Sequence, residues 1–293
     1  MTLTTIVVVV AIAAGVAAYV ASAVRGLPDP IDTAAEERAA VRSLRRHPRL
    51  RRFLRQRFDR RSAGGFLLTV SVIVVFAVAL LVGVLLDMVD GSSGLARWDD
   101  DLARWGVGRA TSLSVDVLEV VTELGGTWVV TAALVAAVLV DLQRNRNLEV
   151  IAFAAVVLLG EKLIVNALKE IIDRDRPDVI ALTSFSGASF PSGHAAAAAA
   201  VWPAVALILG RDRPRAVRAA LAAVAALIAF GVGASRALLG VHWLTDVIAG
   251  LAIGYGWFLV TAVIFGGRAQ RLGDPVTPHP QGVQQDPPRL QRF

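Results

Sequence analysis

The sequence predicts an all-α, polytopic transmembrane helix bundle of seven spans, on three observations. First, 55% of the 293 residues are hydrophobic, only 18% are charged, and the mean hydropathy is +0.60. Soluble domains sit near ~45–50% apolar with ~25% charged, so an ordinary soluble protein and a disordered one are both excluded. Second, apolar runs recur at 3–24, 66–86, 127–141, 148–168, 195–209, 219–234 and 243–265, several approaching the ~20 residues that a bilayer span requires. Third, the period-2 alternation of a membrane barrel is absent. The chain has no cysteine, which removes disulfides, thiolate nucleophiles and Cys-ligated metals.

The run at 3–24 has no basic segment before it and ends in Ala21-Ser22-Ala23, which resembles a signal-peptidase site. Twelve Arg follow between Arg25 and Arg61 and oppose export, so 3–24 reads as an uncleaved span with its N-terminus outside. The segment 25–62 reads as a basic cytoplasmic linker lying on anionic lipid headgroups. Its aromatics, Phe53 and Phe58, are too few for a nucleic-acid surface, and no nucleic-acid partner is expected. Before the third run, Trp98, Leu102 and Trp105 stand at helical spacing and predict an interfacial helix. Pro203 predicts a kink in the fifth span. The Pro- and Gln-rich tail after 266 predicts disorder.

Loop arginines set the orientation. The segments 25–62, 142–147, 211–218 and the tail carry Arg144, Arg146, Arg211, Arg213, Arg215, Arg218 and the linker arginines, which places them in the cytoplasm. The segments 87–125, 173–191 and 235–242 then lie outside.

Three clusters interrupt the apolar pattern, all at that outer end. In Lys169-Glu-Ile-Ile-Asp-Arg-Asp-Arg176-Pro177, Lys169 and Arg176 are two helical turns apart and share a face if the helix persists. Lys162 and Asn166 extend a polar stripe deeper into the same span, and charges there normally face a bundle interior. Alone, Lys169 reads rather as a snorkelling helix-end lysine. Phe190-Pro191-Ser192-Gly193-His194 precedes an Ala-rich span. Ser192 suits an N-cap, and the free N–H groups of a helix start suit an anion, although a plain cap with an incidental His reads the same way. In Ser235-Arg236-Ala-Leu-Leu-Gly-Val-His242-Trp-Leu-Thr-Asp246, His242 and Asp246 are four apart and can pair on one helix face. Taken alone, the pair reads rather as a structural His–Asp contact at a helix end.

Together the clusters say more. Two of the four His and one of the two Lys fall in them. Three cations, a helix N-terminus and two His suit a tetrahedral oxyanion and acid–base or nucleophilic chemistry, with phosphate the natural ligand. Carboxylates at metal-ligand spacing are missing, so no metal site is expected. The pattern K-x6-RP, PSGH and SR-x5-H-x3-D resembles the three signature motifs of the type-2 phosphatidic acid phosphatase superfamily at all eleven defining positions. The resemblance extends over about 64–266, as a six-span phosphatase core. It leaves 1–63 as an added N-terminal span and linker, and 267–293 as the tail.

That resemblance implies a cofactor-free, metal-independent phosphoryl transfer, in which His242 attacks phosphorus and becomes a phosphohistidine. Asp246 orients His242, and His194 protonates the leaving oxygen. Lys169, Arg176 and Arg236 hold the phosphate, joined by Ser192 and the Gly193 backbone. The expected partner is a lipid phosphate in the membrane: a polyprenyl diphosphate, phosphatidic acid or phosphatidylglycerophosphate. The expected location is a bacterial plasma membrane, with the site facing outward. Vanadium haloperoxidases share this kind of anion site, but they are soluble. A transporter that binds lipid headgroups without hydrolysis is the alternative, and it lacks the paired inverted repeats of many transporters.

Overall fold

The structure, a computed structural model, describes residues 63–266. The predicted first span 3–24, the linker and the tail lie outside the described residues. Every regular element described is a helix: α1 (Ala63–Asp90), α2 (Asp99–Gly108), α3 (Ser112–Glu123), α4 (Thr127–Asn145), α5 (Glu149–Ile172), α6 (Gly193–Gly210), α7 (Arg215–Leu238) and α8 (Leu244–Gly266). A short 3-10 turn (Gly94–Trp98) precedes α2. The six long helices α1 and α4 to α8 are each long and apolar enough to cross a membrane. The chain is a multi-pass membrane protein.

Each predicted apolar run after the first became one helix, mostly longer than the run itself. The predicted 219–234 is observed as Arg215–Leu238, because Arg and Ala are good helix formers and continue the helix past its apolar stretch. Helix α6 continues through Pro203.

Helix α6 is the centre of the bundle and packs against α4, α5, α7 and α8. Ala195 to Ala200 are all buried, so over more than one full turn every face is short enough for neighbours to come close. The approach is tightest against α8. A Cβ on Gly250 would lie 2.5 Å from the Ser192 carbonyl, and one on Gly254 would lie 2.1 Å from that of Ala196. The Gly250–Gly254 pair therefore works inside the bundle, where close backbone packing replaces the absent hydrophobic driving force between helices. Helix α1 is the opposite case. Val72, Ile73, Phe76 and Leu80 are exposed along it, as a lipid-facing span requires.

Helices α2 and α3 lie at the end of the bundle that also holds the 173–192 and 239–243 connections. Three successive acids, Asp99, Asp100 and Asp101, open α2, where the helix dipole favours negative charge. Leu102 packs with Ala195, Ala237 and Val247, and Gly106 abuts the Leu238 carbonyl. The predicted interfacial helix is thus fastened to α7 and α8, while Trp98 stays exposed. Helix α3 starts with a reciprocal capping box. Thr111 Oγ1 accepts from the Ser114 N–H at 3.2 Å, and Ser114 Oγ accepts from the Thr111 N–H at 2.8 Å. Such a cap contributes about 1 kcal/mol.

Candidate active site

The three polar clusters converge at one end of the bundle, tied together first by backbone. The Ser189 N–H donates to the Arg174 carbonyl at 2.8 Å, and the Ser192 N–H donates to the Asp246 carbonyl at 3.0 Å. Arg176 Nη1 donates to the Val241 carbonyl at 2.6 Å. Each cluster is therefore positioned by another one, distant in sequence.

Lys169 and Arg176 come together by a different route from the one their spacing suggests. Helix α5 ends at Ile172, and Asp173 takes a left-handed conformation with φ 43°, so no continuous helix carries both. The loop at 186–188 joins them instead, since the Lys169 ammonium and Arg176 Nη2 both donate to the Ala188 carbonyl. Arg176 also donates through Nε to Gly187 O at 2.9 Å and through Nη2 to Ser186 O at 2.7 Å. Its guanidinium lies 4.6 Å from the Phe185 ring centroid. Burial pushes the Arg176 pKa down from its ordinary value, and the nearby Asp246 charge acts against that shift. A cavity of about 370 Å³ opens beside Lys169, bounded also by Asn166, Glu170 and the 186–188 loop.

His242 precedes α8 and Asp246 sits in its first turn, so the pair is not set by helical periodicity either. The contact between His242 Nδ1 and Asp246 Oδ2 is 3.6 Å, an electrostatic approach longer than a hydrogen bond. Ser189 sits between them: its hydroxyl donates to Asp246 Oδ2 at 2.5 Å and lies 3.5 Å from His242 Nδ1. The Trp243 N–H also donates to Asp246 Oδ2, at 3.0 Å. The other imidazole nitrogen, Nε2, faces Arg176 Nη1 at 3.4 Å. His242 is 3% exposed, and burial lowers its pKa from 6.5 to about 4, against the opposing pull of Asp246. Its imidazole is neutral at pH 7, the form that can act as a nucleophile.

Two donors at this end of the bundle remain open. Ser192 is at the N-cap position of α6, but its hydroxyl makes no cap hydrogen bond. Ser192 Oγ and Arg236 Nε are both buried without a partner. Buried polar atoms are rarely left unsatisfied, and two of them beside free helix N–H groups form a site ready for an anion. Thr122 of α3 holds Arg236 from behind, accepting from its Nη1 at 3.4 Å. His194 lies in the first turn of α6, with the cations of Arg236, Lys162 and Lys169 and the His242 imidazole as neighbours. Gly125 allows α6 to come this close, because a Cβ there would lie 2.6 Å from the His194 carbonyl.

The structure thus brings all eight sequence candidates to one region. It adds four residues that the motifs did not indicate. Ser189 and Thr122 support His242–Asp246 and Arg236. Arg174 donates to Asp246 Oδ1 at 2.5 Å, and Asp99 accepts from Arg174 at 2.9 Å. Glu161 and Lys162, deeper in α5, separate. Glu161 is buried, whereas Lys162 donates to Thr127 Oγ1 of α4 at 3.0 Å.

A family model described as the PAP2 superfamily matches residues 149–269. Phosphatidylglycerophosphatase B of Bacillus subtilis is 42% identical over 96 residues, which is 32% of this chain and 47% of that protein. Lipid A 1-phosphatase of Rhizobium etli is 39% identical over 124 residues, 39% of this chain and 48% of that protein. The chain spans about half the length of the curated relatives it matches. The crystal structure of the first transmembrane PAP2-type phosphatidylglycerolphosphate phosphatase from Bacillus subtilis superimposes with a TM-score of 0.58 at 27% identity, covering 65% of this chain and 93% of that one.

Proposed function

The chain belongs to the PAP2 superfamily, and on that premise we propose that it is an integral membrane phosphatase that hydrolyses a lipid phosphate through a phosphohistidine on His242. The observation that carries the reading is the presence, at one end of the bundle, of a buried, neutral His242 and two unpartnered donors, Ser192 Oγ and Arg236 Nε. The curated relatives named above act on phosphatidylglycerophosphate and lipid A, by their names. They support a lipid phosphate as the substrate class, with a polyprenyl diphosphate and phosphatidic acid as further candidates.

The phosphate would enter between Arg236, Ser192 and the start of α6, and displace Arg176 Nη1 from its long contact with His242 Nε2. Arg176 would then direct that N–H to a phosphate oxygen, while the carbonyls of 186–188 and Val241 keep its guanidinium in place. Lys169 retains two N–H groups beyond the one given to Ala188. His242 Nε2 forms the N–P bond as the bond from phosphorus to the lipid oxygen breaks, and His194 gives that oxygen a proton. Water then attacks phosphorus, His194 takes a proton from it, the N–P bond breaks, and inorganic phosphate leaves. Asp246 stabilises the positive charge that His242 carries in between. Preorganised cations of this kind supply much of the barrier reduction, and each proton transfer adds about 10²–10⁴-fold.

We assign this activity to the core at 64–266 and place the site on the extracytoplasmic face of a bacterial plasma membrane, a side supported by the arginine-rich segments at the other end. Phosphate release from dioctanoyl phosphatidic acid in detergent tests the reading. Release that persists in EDTA and is inhibited by vanadate is expected. Binding of the lipid with no phosphate released would overturn it.

A further inference from the structure

We propose that Asp99, in the first turn of α2, is a positioning residue for the His242 nucleophile and acts through Arg174 and Asp246; this rests on the lipid-phosphatase reading above. Asp99 is 4% exposed, far in sequence from every signature position and outside the segment that the family model matches. A carboxylate is costly to bury unless it is paired and hydrogen-bonded, and the partners of Asp99 lead toward the nucleophile. Asp99 Oδ2 accepts from Arg174 Nη2 at 2.9 Å and from Thr245 Oγ1 at 2.7 Å, and Oδ1 accepts from the Thr245 N–H at 3.0 Å. Arg174 turns its other nitrogen, Nη1, onto Asp246 Oδ1 at 2.5 Å and Thr245 Oγ1 at 2.8 Å. Its guanidinium lies 5.3 Å from the Trp243 ring centroid.

This arrangement does two things for Asp246. It occupies Oδ1 and so fixes the carboxylate plane, leaving Oδ2 for Ser189, the Trp243 N–H and the imidazole. It also sets the net charge behind the nucleophile. Arg174 with Asp246 alone would be neutral. Asp99 makes the buried group net negative, facing the side of His242 away from the phosphate. Arg176 and Arg236 already place positive charge near His242, so a negative group behind it is what an attacking imidazole, turning positive, requires. In the folding of the site, α2 brings Asp99 inward on the same face as Leu102 and Gly106, the residues that fasten this helix to α7 and α8.

The test is steady-state hydrolysis of dioctanoyl phosphatidic acid in detergent by wild type, Asp99→Asn, Arg174→Gln and the double variant, each also measured for melting temperature. Asn keeps one acceptor for the Thr245 N–H, but it removes the charge and turns the oxygen that accepts from Arg174 and the Thr245 hydroxyl into an amide donor. Asp99→Asn is expected to lower kcat by about 10–100-fold, the range for misplacement at a distance from the chemistry. KM should stay within about 2-fold, and in the Arg174→Gln background the Asp99 change should add less than about 2-fold, as residues acting through one partner do. Thr245→Val, which removes the hydroxyl between Asp99 and Arg174, should cost about 10-fold in kcat, and it decides the matter if Asp99→Asn does not fold. Wild-type kcat in Asp99→Asn, a change in KM alone, or losses that multiply in the double variant would each overturn the positioning role. An inactive wild type overturns the phosphatase reading itself, so the two failures are distinct.

Discussion

The two walls of the pocket use their cations differently. On the wall built from 173–191, Arg176 directs its N–H groups to the carbonyls of Ser186, Gly187, Ala188 and Val241 and to His242. On the wall built from α6 and α7, Arg236 and Ser192 each keep a buried atom with no partner. The first wall is held in place before any ligand arrives; the second has unmet capacity that an anion would satisfy. Residues that look equivalent in sequence as phosphate cations therefore have separate tasks. Arg176 is already seated against His242, and Arg236 keeps an unmet N–H.

Variants that break this contrast range over several orders of magnitude. His242→Ala removes the proposed nucleophile and should cost at least about 10³-fold in phosphate release, read as kcat with dioctanoyl phosphatidic acid. Arg236→Gln removes the open cation and should cost about 10²–10³-fold in kcat, the range for one preorganised donor to developing charge. Ser192→Ala removes a neutral donor that nothing else satisfies. It should lower kcat/KM by about 5–10-fold with little loss of melting temperature, since its hydroxyl supports no other group. On the held wall, Gly187 has φ +65° in open space, so Gly187→Ala strains the loop by about 1 kcal/mol without a clash. A few-fold rise in KM is expected as Arg176 loses its fixed seat. If Gly187→Ala proves as damaging as Arg236→Gln, the two walls are not distinct.

The mildest effect is that of pH. The folded-state pKa of His242 lies at about 4, below the usual 6.5, so the nucleophilic neutral form persists as pH falls through 6 and 5 and is lost only near 4. Single-turnover phosphohistidine formation should therefore change by less than about 2-fold between pH 7 and pH 5. A midpoint near 6.5 would mean that His242 is not buried in the working enzyme. The same sign applies to stability: the unfolded chain takes up its His proton near 6.5 and the folded one only near 4. This contribution is present above pH 6.5 and declines as pH falls through that window.

The six described spans and the gathering of the three polar clusters were legible in the sequence for plain reasons. Apolar length marks a membrane helix whatever its neighbours, and the rare Lys and His fall together in motif order. What could not be read was the means of assembly. Lys169 and Arg176 look like one helix face, but Asp173 ends that helix and a loop carbonyl joins them. His242 and Asp246 look like a helical pair, but the helix begins between them. Ser189, Thr122, Asp99 and the 186–188 carbonyls belong to contacts made across long sequence separations or by backbone atoms, which residue type does not reveal. Asp99 left a faint signal, since its spacing to Leu102 and Gly106 puts an acid on the small, apolar face of α2. Arg174 left another, as a second arginine two residues before Arg176.

The central claim is that His242 carries the phosphoryl group. Rapid quenching of the protein with phosphatidic acid labelled in its phosphate, followed by denaturing electrophoresis and peptide mapping, tests it directly. An acid-labile, alkali-stable label is expected on the peptide containing His242, formed and lost on the timescale of turnover and absent in His242→Ala. Full phosphate release by wild type with no labelled protein at any time, or a label that survives in His242→Ala, would contradict it.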